Sequence, residues 1–232
     1  MINLVNTASH PLSAPGAVET DVHINWALLI ERRPAMLATL DYPDHAYLLL
    51  PEVNRLITTA KDLQTRTAIT LMWYTGVRIG ELLALRVEDL RIESAQYAFV
   101  AIKRTLKKRG KIIPRVIEIH DPACIDLISQ YLVSYRLRQR DCLFPGKQSN
   151  SKSISPSTLF RRIEKLADQD SFPIKVTPHT LRHSFAINAL LHGRPIKTIQ
   201  AWLGHADPRS TEVYAKLLSG DVGFQMAGIQ YR

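Results

Sequence analysis

The sequence predicts a mainly α-helical domain carrying one small antiparallel β-sheet, an α+β fold. Three observations point to it. Apolar residues recur at helical spacing in segments that open on a proline, as after Pro51, Pro122, Pro156 and Pro178. Two β-rich stretches, residues 98–102 and 112–119, flank the basic run Lys103-Arg104-Thr105-Leu106-Lys107-Lys108-Arg109-Gly110-Lys111 and read as a hairpin with a basic tip. The remaining connections are short and polar or marked by glycine and proline, and no internal repeat is evident.

In chain order, residues 1–45 are interrupted by Pro11, Pro15, Pro34 and Pro43 and read as an N-terminal arm, partly flexible, with at most one short helix at 26–32. Val53, Leu56 and Ile57 follow Pro51 at helical spacing and predict a helix over 51–61. A second helix, 65–74, ends at Gly76, a residue suited to a left-handed cap. Ile79, Leu82, Leu83 and Leu85 make a short helix that opens with Arg78. After the hairpin, Pro122 opens a helix to residue 138. Phe144-Pro145-Gly146 is a turn and 148–155 a polar loop. Four helices follow, over 156–168, 178–191, 195–203 and 208–217.

A chain of 232 residues holds one sizeable domain, or one domain with a short arm. Hydrophobic content of 46% beside 22% charge is that of an ordinary globular protein. No apolar run approaches the ~20 residues needed to span a bilayer, and the N-terminus lacks a secretory pattern. Cys124 and Cys142 fit no metal-ligand spacing and imply no disulfide framework, which favours a reducing cytoplasm. The net charge of +9 and pI near 9.7 favour a polyanionic partner, because each cation that neutralises a phosphate releases condensed counterions.

The chemistry is carried by two boxes and a tyrosine. Gly76-Val77-Arg78-Ile79-Gly80-Glu81 supplies one arginine, and His179-Thr180-Leu181-Arg182-His183 supplies two imidazoles and another. Leu203-Gly204-His205 follows, then Tyr214 nine residues after His205. Breaking a phosphodiester without a metal requires fixed cations around the nonbridging oxygens. The planar, permanently charged fork of arginine suits this, which makes Arg78 and Arg182 the candidates. Tyr214 is the candidate nucleophile. Its phenol, with an ordinary pKa of about 10, needs neighbours that stabilise the phenolate. His179 and His205 titrate near neutrality and can donate to phosphate or exchange a proton with Tyr214. Glu81, three residues after Arg78, is placed to orient basic groups.

These boxes resemble the signature motifs of the tyrosine recombinase (phage integrase) family, in order and in spacing, from about residue 48 to residue 218. The resemblance implies the tyrosine recombinase catalytic-domain fold over residues 46–218. The apolar Val222, Phe224, Met226 and Ile229 of the tail 219–232 can dock on their own domain; the resemblance implies instead that they contact a neighbouring protomer. It also implies site-specific recombination, with Tyr214 linked covalently to a 3′ phosphate and a 5′ hydroxyl released. A hairpin lysine is then the general acid; Lys107 is favoured over Lys108 and Lys111 because Thr105-Leu106-Lys107 sits where strand gives way to turn. Lys103, Arg104, Lys108, Arg109 and Lys111 become DNA-phosphate contacts, and His183 supports the site from behind. The implied partners are double-stranded DNA, a homo-tetramer assembled on it, and an accessory DNA-bending protein or second recombinase. The chain is compact for this family, since only ~45 residues precede the catalytic match.

Competing readings remain open at this point. Type IB topoisomerase-like relaxation uses the same chemistry, and a catalytically silent DNA-binding regulator could keep the fold. His179 and His183, at i and i+4, could suggest zinc. The metalloprotease helix, however, needs a glutamate where Thr180 stands, and Arg182 would put a fixed positive charge beside the ion. No metal and no cofactor is expected.

Overall fold

A computed structural model of the chain describes residues 24–39, 46–106 and 112–204. Its organising element is α3 (Leu63–Thr75), buried on nearly every side through Thr67, Ala68, Ile69, Thr70, Leu71 and Met72. Small and β-branched residues let its neighbours approach from several directions. Asp62 caps its start by accepting the Thr65 N–H at 3.0 Å, and Gly76 ends it at φ 59° in the left-handed conformation. A Cβ on Gly76 would lie 2.4 Å from Cδ1 of Phe185, so this position requires glycine for space as well as for backbone angle.

Around α3 pack α2 (Leu50–Thr59), α5 (Pro122–Ser134), α6 (Pro156–Gln169) and α7 (Pro178–Leu191). Leu56, Ile128, Tyr131, Leu159, Ile163 and Leu181 fill the space between them. The short α4 (Ile79–Leu82) and a 3₁₀ turn (Val87–Asp89) lead into the sheet of β1 (Leu90–Ser94), β2 (Tyr97–Ile102) and β3 (Arg115–Ile119), antiparallel in the order β1-β2-β3. Val100 pairs with Leu90 on one side and Ile117 on the other, and this face lies on the core. A second cluster joins α8 (Ile196–Leu203) and α7 to α1 (Trp26–Thr39) through Leu29, Ile187, Ile199 and Leu203.

The structure corrects several expectations. The helix in the arm is not a short one at 26–32. α1 runs through Pro34 for 14 residues, and Arg33 forks onto Glu52 at 2.5 and 2.8 Å while donating to the Tyr47 carbonyl at 3.0 Å. A proline mid-helix erases the local signal, and this buried pair supplies a tertiary one. β1 was not anticipated, because only Leu90 of its five residues is buried and an edge strand facing water carries no apolar alternation. α5 stops at Ser134 rather than residue 138, since Arg136 takes φ 50°. The predicted polar loop contains β5 (Ser149–Ser153), paired with β4 (Pro145–Gly146) and held in place by the backbone bond from Ile154 to Phe144 at 3.0 Å. Pro195 caps α8 from outside the helix. The helix expected over 208–217, the tail and the basic tip at 107–111 lie outside the described residues.

Candidate active site

Arg78 is the N-cap of α4. Its backbone N–H donates to Oε2 of Glu81 at 2.9 Å and its guanidinium to Oε1 at 3.3 Å, while the side chain stays 41% exposed. Exposure leaves the guanidinium accessible from solvent. Glu81 is buried, and a residue that the sequence reading did not single out explains how. Arg115 on β3 donates to Oε1 at 3.1 Å and to Oε2 at 2.8 Å, and its Nε donates to the Trp202 carbonyl at 2.6 Å. Burial works against ionisation of Glu81. The bond from Arg115, the backbone bond from Arg78 and both positive charges outweigh it, and hold the carboxyl below its ordinary value. A signal for Arg115 was present in the strand. Residues 115, 117 and 119 share a face, Ile117 and Ile119 point inward, and an arginine in that register needs a buried carboxylate.

Arg182 lies on α7, itself capped by Thr177 accepting the Thr180 N–H at 3.2 Å. Its guanidinium donates to the carbonyl of Gly76 at 2.6 Å and to that of Leu203 at 2.7 Å, and the residue is only 3% exposed. It therefore draws together the end of α3, two residues before Arg78, and the end of α8, two residues before His205. His179 is exposed on the first turn of α7, and His183 is half-buried one turn on, with ring centroids 6.4 Å apart. The hairpin meets the same region: the Leu106 N–H donates to the Gly80 carbonyl at 3.0 Å, which fixes the outgoing strand's end to α4.

Lys103 and Arg104 stand at the foot of the hairpin. Arg104 bonds buried Asp89 at 2.7 Å, and Lys103 approaches the same oxygen at 3.8 Å while remaining 61% exposed. Lys107, Lys108, Arg109, Lys111, His205 and Tyr214 lie outside the described residues. Among the described residues no cluster of three His, Cys, Asp or Glu side chains could hold a metal ion, and no helix is long and apolar enough to cross a membrane.

The phage integrase family model matches residues 47–220, most of the chain. The chain belongs to the phage integrase family. This integrase-family chain is 32% identical over 195 residues to a probable site-specific recombinase in the afa region of Escherichia coli, covering 82% of this chain and 78% of that one. It is 33% identical to a tyrosine recombinase of Pseudothermotoga lettingae, across 72% of this chain but 55% of the relative. The crystal structure of XerA recombinase superposes with a TM-score of 0.65 at 28% identity, covering 80% of this chain and 65% of that one. The chain thus spans between half and two thirds of these last two proteins.

Proposed function

We propose that this chain is a site-specific DNA recombinase that cuts and rejoins DNA through Tyr214, with residues 46–218 as the catalytic domain. The observation that carries the reading is the double grip of Arg182 on the Gly76 and Leu203 carbonyls, which brings the two signature boxes and the approach to His205 into one site. In the proposed reaction Tyr214 gives its phenol proton to His179 or His205 and its oxygen attacks phosphorus; the bond to the 5′ oxygen breaks, and that oxygen takes a proton from Lys107. Arg78, Arg182, His179 and His205 stabilise charge on the nonbridging oxygens. The phosphotyrosyl bond is close in energy to the bond broken, so the returning 5′ hydroxyl religates without a nucleotide cofactor.

Lys103, Arg104, Lys108, Arg109 and Lys111 bind the duplex, and the enzyme acts in the cytoplasm on the nucleoid. A homo-tetramer spans two duplexes, with 219–232 packing between protomers, and an accessory DNA-bending protein or a second recombinase completes the assembly.

The test is to incubate the protein in EDTA with supercoiled DNA spanning its own gene and flanks, then quench with SDS. Covalent adducts with wild type and none with Tyr214→Phe are expected. A strict requirement for magnesium, or adducts that survive Tyr214→Phe, would rule the mechanism out.

A further inference from the structure

Glu81 sits between two arginines that grip it unequally. The Arg115 guanidinium takes both carboxylate oxygens, Oε1 at 3.1 Å and Oε2 at 2.8 Å, whereas the Arg78 guanidinium reaches Oε1 alone at 3.3 Å and Oε2 accepts the Arg78 backbone N–H at 2.9 Å. Two guanidinium charges around a single carboxylate leave a net positive charge of one. Without Arg115, the carboxylate would be free to close bidentately on Arg78 alone, the geometry such pairs favour, and to neutralise it. Arg115 saturates Glu81, so the exposed Arg78 keeps its charge for an incoming phosphate.

The same guanidinium reaches a third element. Nε holds the Trp202 carbonyl at 2.6 Å, and a Cβ on Gly204 would lie 2.7 Å from the Arg115 Nη1, so the bare backbone of Gly204 is what makes room for it. Nη1 also donates to the Ile113 carbonyl at 3.3 Å, which ties the returning arm of the hairpin to the same point. Four of the five N–H donors of Arg115 are therefore used, on α4, on the end of α8 and on the hairpin.

We infer that Arg115 is a positioning residue for strand cleavage: it holds Arg78, the turn into His205 and the hairpin arm in one fixed relation and keeps the Arg78 charge available to the phosphate. This rests on the proposed recombinase reading, since it assigns Arg78 and His205 their chemistry. It does not place Arg115 against the DNA.

The test compares Arg115→Lys and Arg115→Met with wild type in single-turnover adduct formation at saturating DNA, from pH 8 down to about pH 3, with Tyr214→Phe alongside. Arg115→Met leaves Glu81 without its buried fork and can fail to fold. Arg115→Lys keeps charge and most of the volume, and it decides the question in that case. Folded Arg115→Lys is expected to bind DNA within about threefold of wild type and to cleave roughly 100-fold more slowly, the order of loss that follows a ~1 Å misplacement of a catalytic group. Its acid limb should move up in pH, because Glu81 is no longer held so firmly in the ionised form. A purely structural role would lower thermal stability and leave that limb in place. Wild-type cleavage by folded Arg115→Lys with an unshifted limb overturns the inference. Absence of any Tyr214-dependent adduct from wild type overturns the recombinase reading, and this inference with it.

Discussion

The Arg182 guanidinium donates an Nη1–H to the carbonyl of Gly76, 2.6 Å away and 106 residues earlier in the chain. This single bond joins the two sequence boxes. It also separates the two candidate arginines in kind: Arg78 is substantially exposed, whereas Arg182 is buried against backbone carbonyls.

That difference predicts unequal consequences of truncation. Arg78→Ala should fold normally and lose cleavage by roughly 100- to 1000-fold, with DNA affinity within about tenfold. Arg182→Ala should lose cleavage too, but it also strips two carbonyls of a buried donor, at a cost of about 1–3 kcal/mol for each group left unsatisfied. Denaturant melts of both variants, set beside adduct yields, check this. Equal stability for the two would mean that the carbonyl bonds of Arg182 contribute nothing.

Gly76 permits no side chain. A Cβ there would meet Phe185 at 2.4 and 2.8 Å and Leu203 at 2.9 Å, in a left-handed backbone. The conformation alone costs an alanine about 1–2 kcal/mol, and overpacking adds about 1–3 kcal/mol. Gly76→Ala should therefore destabilise the fold by several kcal/mol and move the carbonyl that Arg182 holds. A thermal melt within about 1 °C of wild type would contradict the close approach.

Glu81 predicts an acid-sensitive term in stability. Its carboxyl is held below its ordinary value of 4.5 in the folded protein. The stabilisation it provides is accordingly complete above pH ~4.5 and is lost as pH falls through the lower folded value. Glu81→Gln should be less stable than wild type at pH 7, but should lose less further stability between pH 5 and pH 3. Parallel melts across that range are the measurement, and parallel curves would show that Glu81 does not titrate below its unfolded value.

Much of this site was legible because its chemistry is local in sequence. Arg78 and Glu81 are a turn apart, and His179, Arg182 and His183 share a helix opened by Thr177 and Pro178. Gly76 and Gly204 both end helices in the left-handed conformation, the role expected of Gly76. Long-range pairs left weaker traces. Arg33 reaches Glu52 across a segment whose prolines hid the helix, and Arg115 reaches Glu81 from a stretch that showed only its β-rich composition. β1 and β5 are held by backbone bonds to neighbouring segments, so their side chains carried no periodic apolar pattern.

The Leu106 N–H is fixed to the Gly80 carbonyl at 3.0 Å, and Gly80 is two residues from Arg78, so of the candidate lysines Lys107 follows that anchor most directly in the chain. If Lys107 protonates the leaving 5′ oxygen, its loss should matter only when the leaving group needs a proton. Lys107→Ala should cleave ordinary DNA about 100- to 10,000-fold more slowly, the range typical for a lost general acid. It should cleave DNA with a bridging 5′ sulfur, a far better leaving group, at nearly the wild-type rate. Lys108→Ala and Lys111→Ala should instead weaken binding and lower the salt dependence by about one phosphate contact each, with no selective rescue by sulfur. Sulfur rescue of Lys108→Ala or Lys111→Ala in place of Lys107→Ala would transfer the general acid to that residue and leave the rest of the site as described.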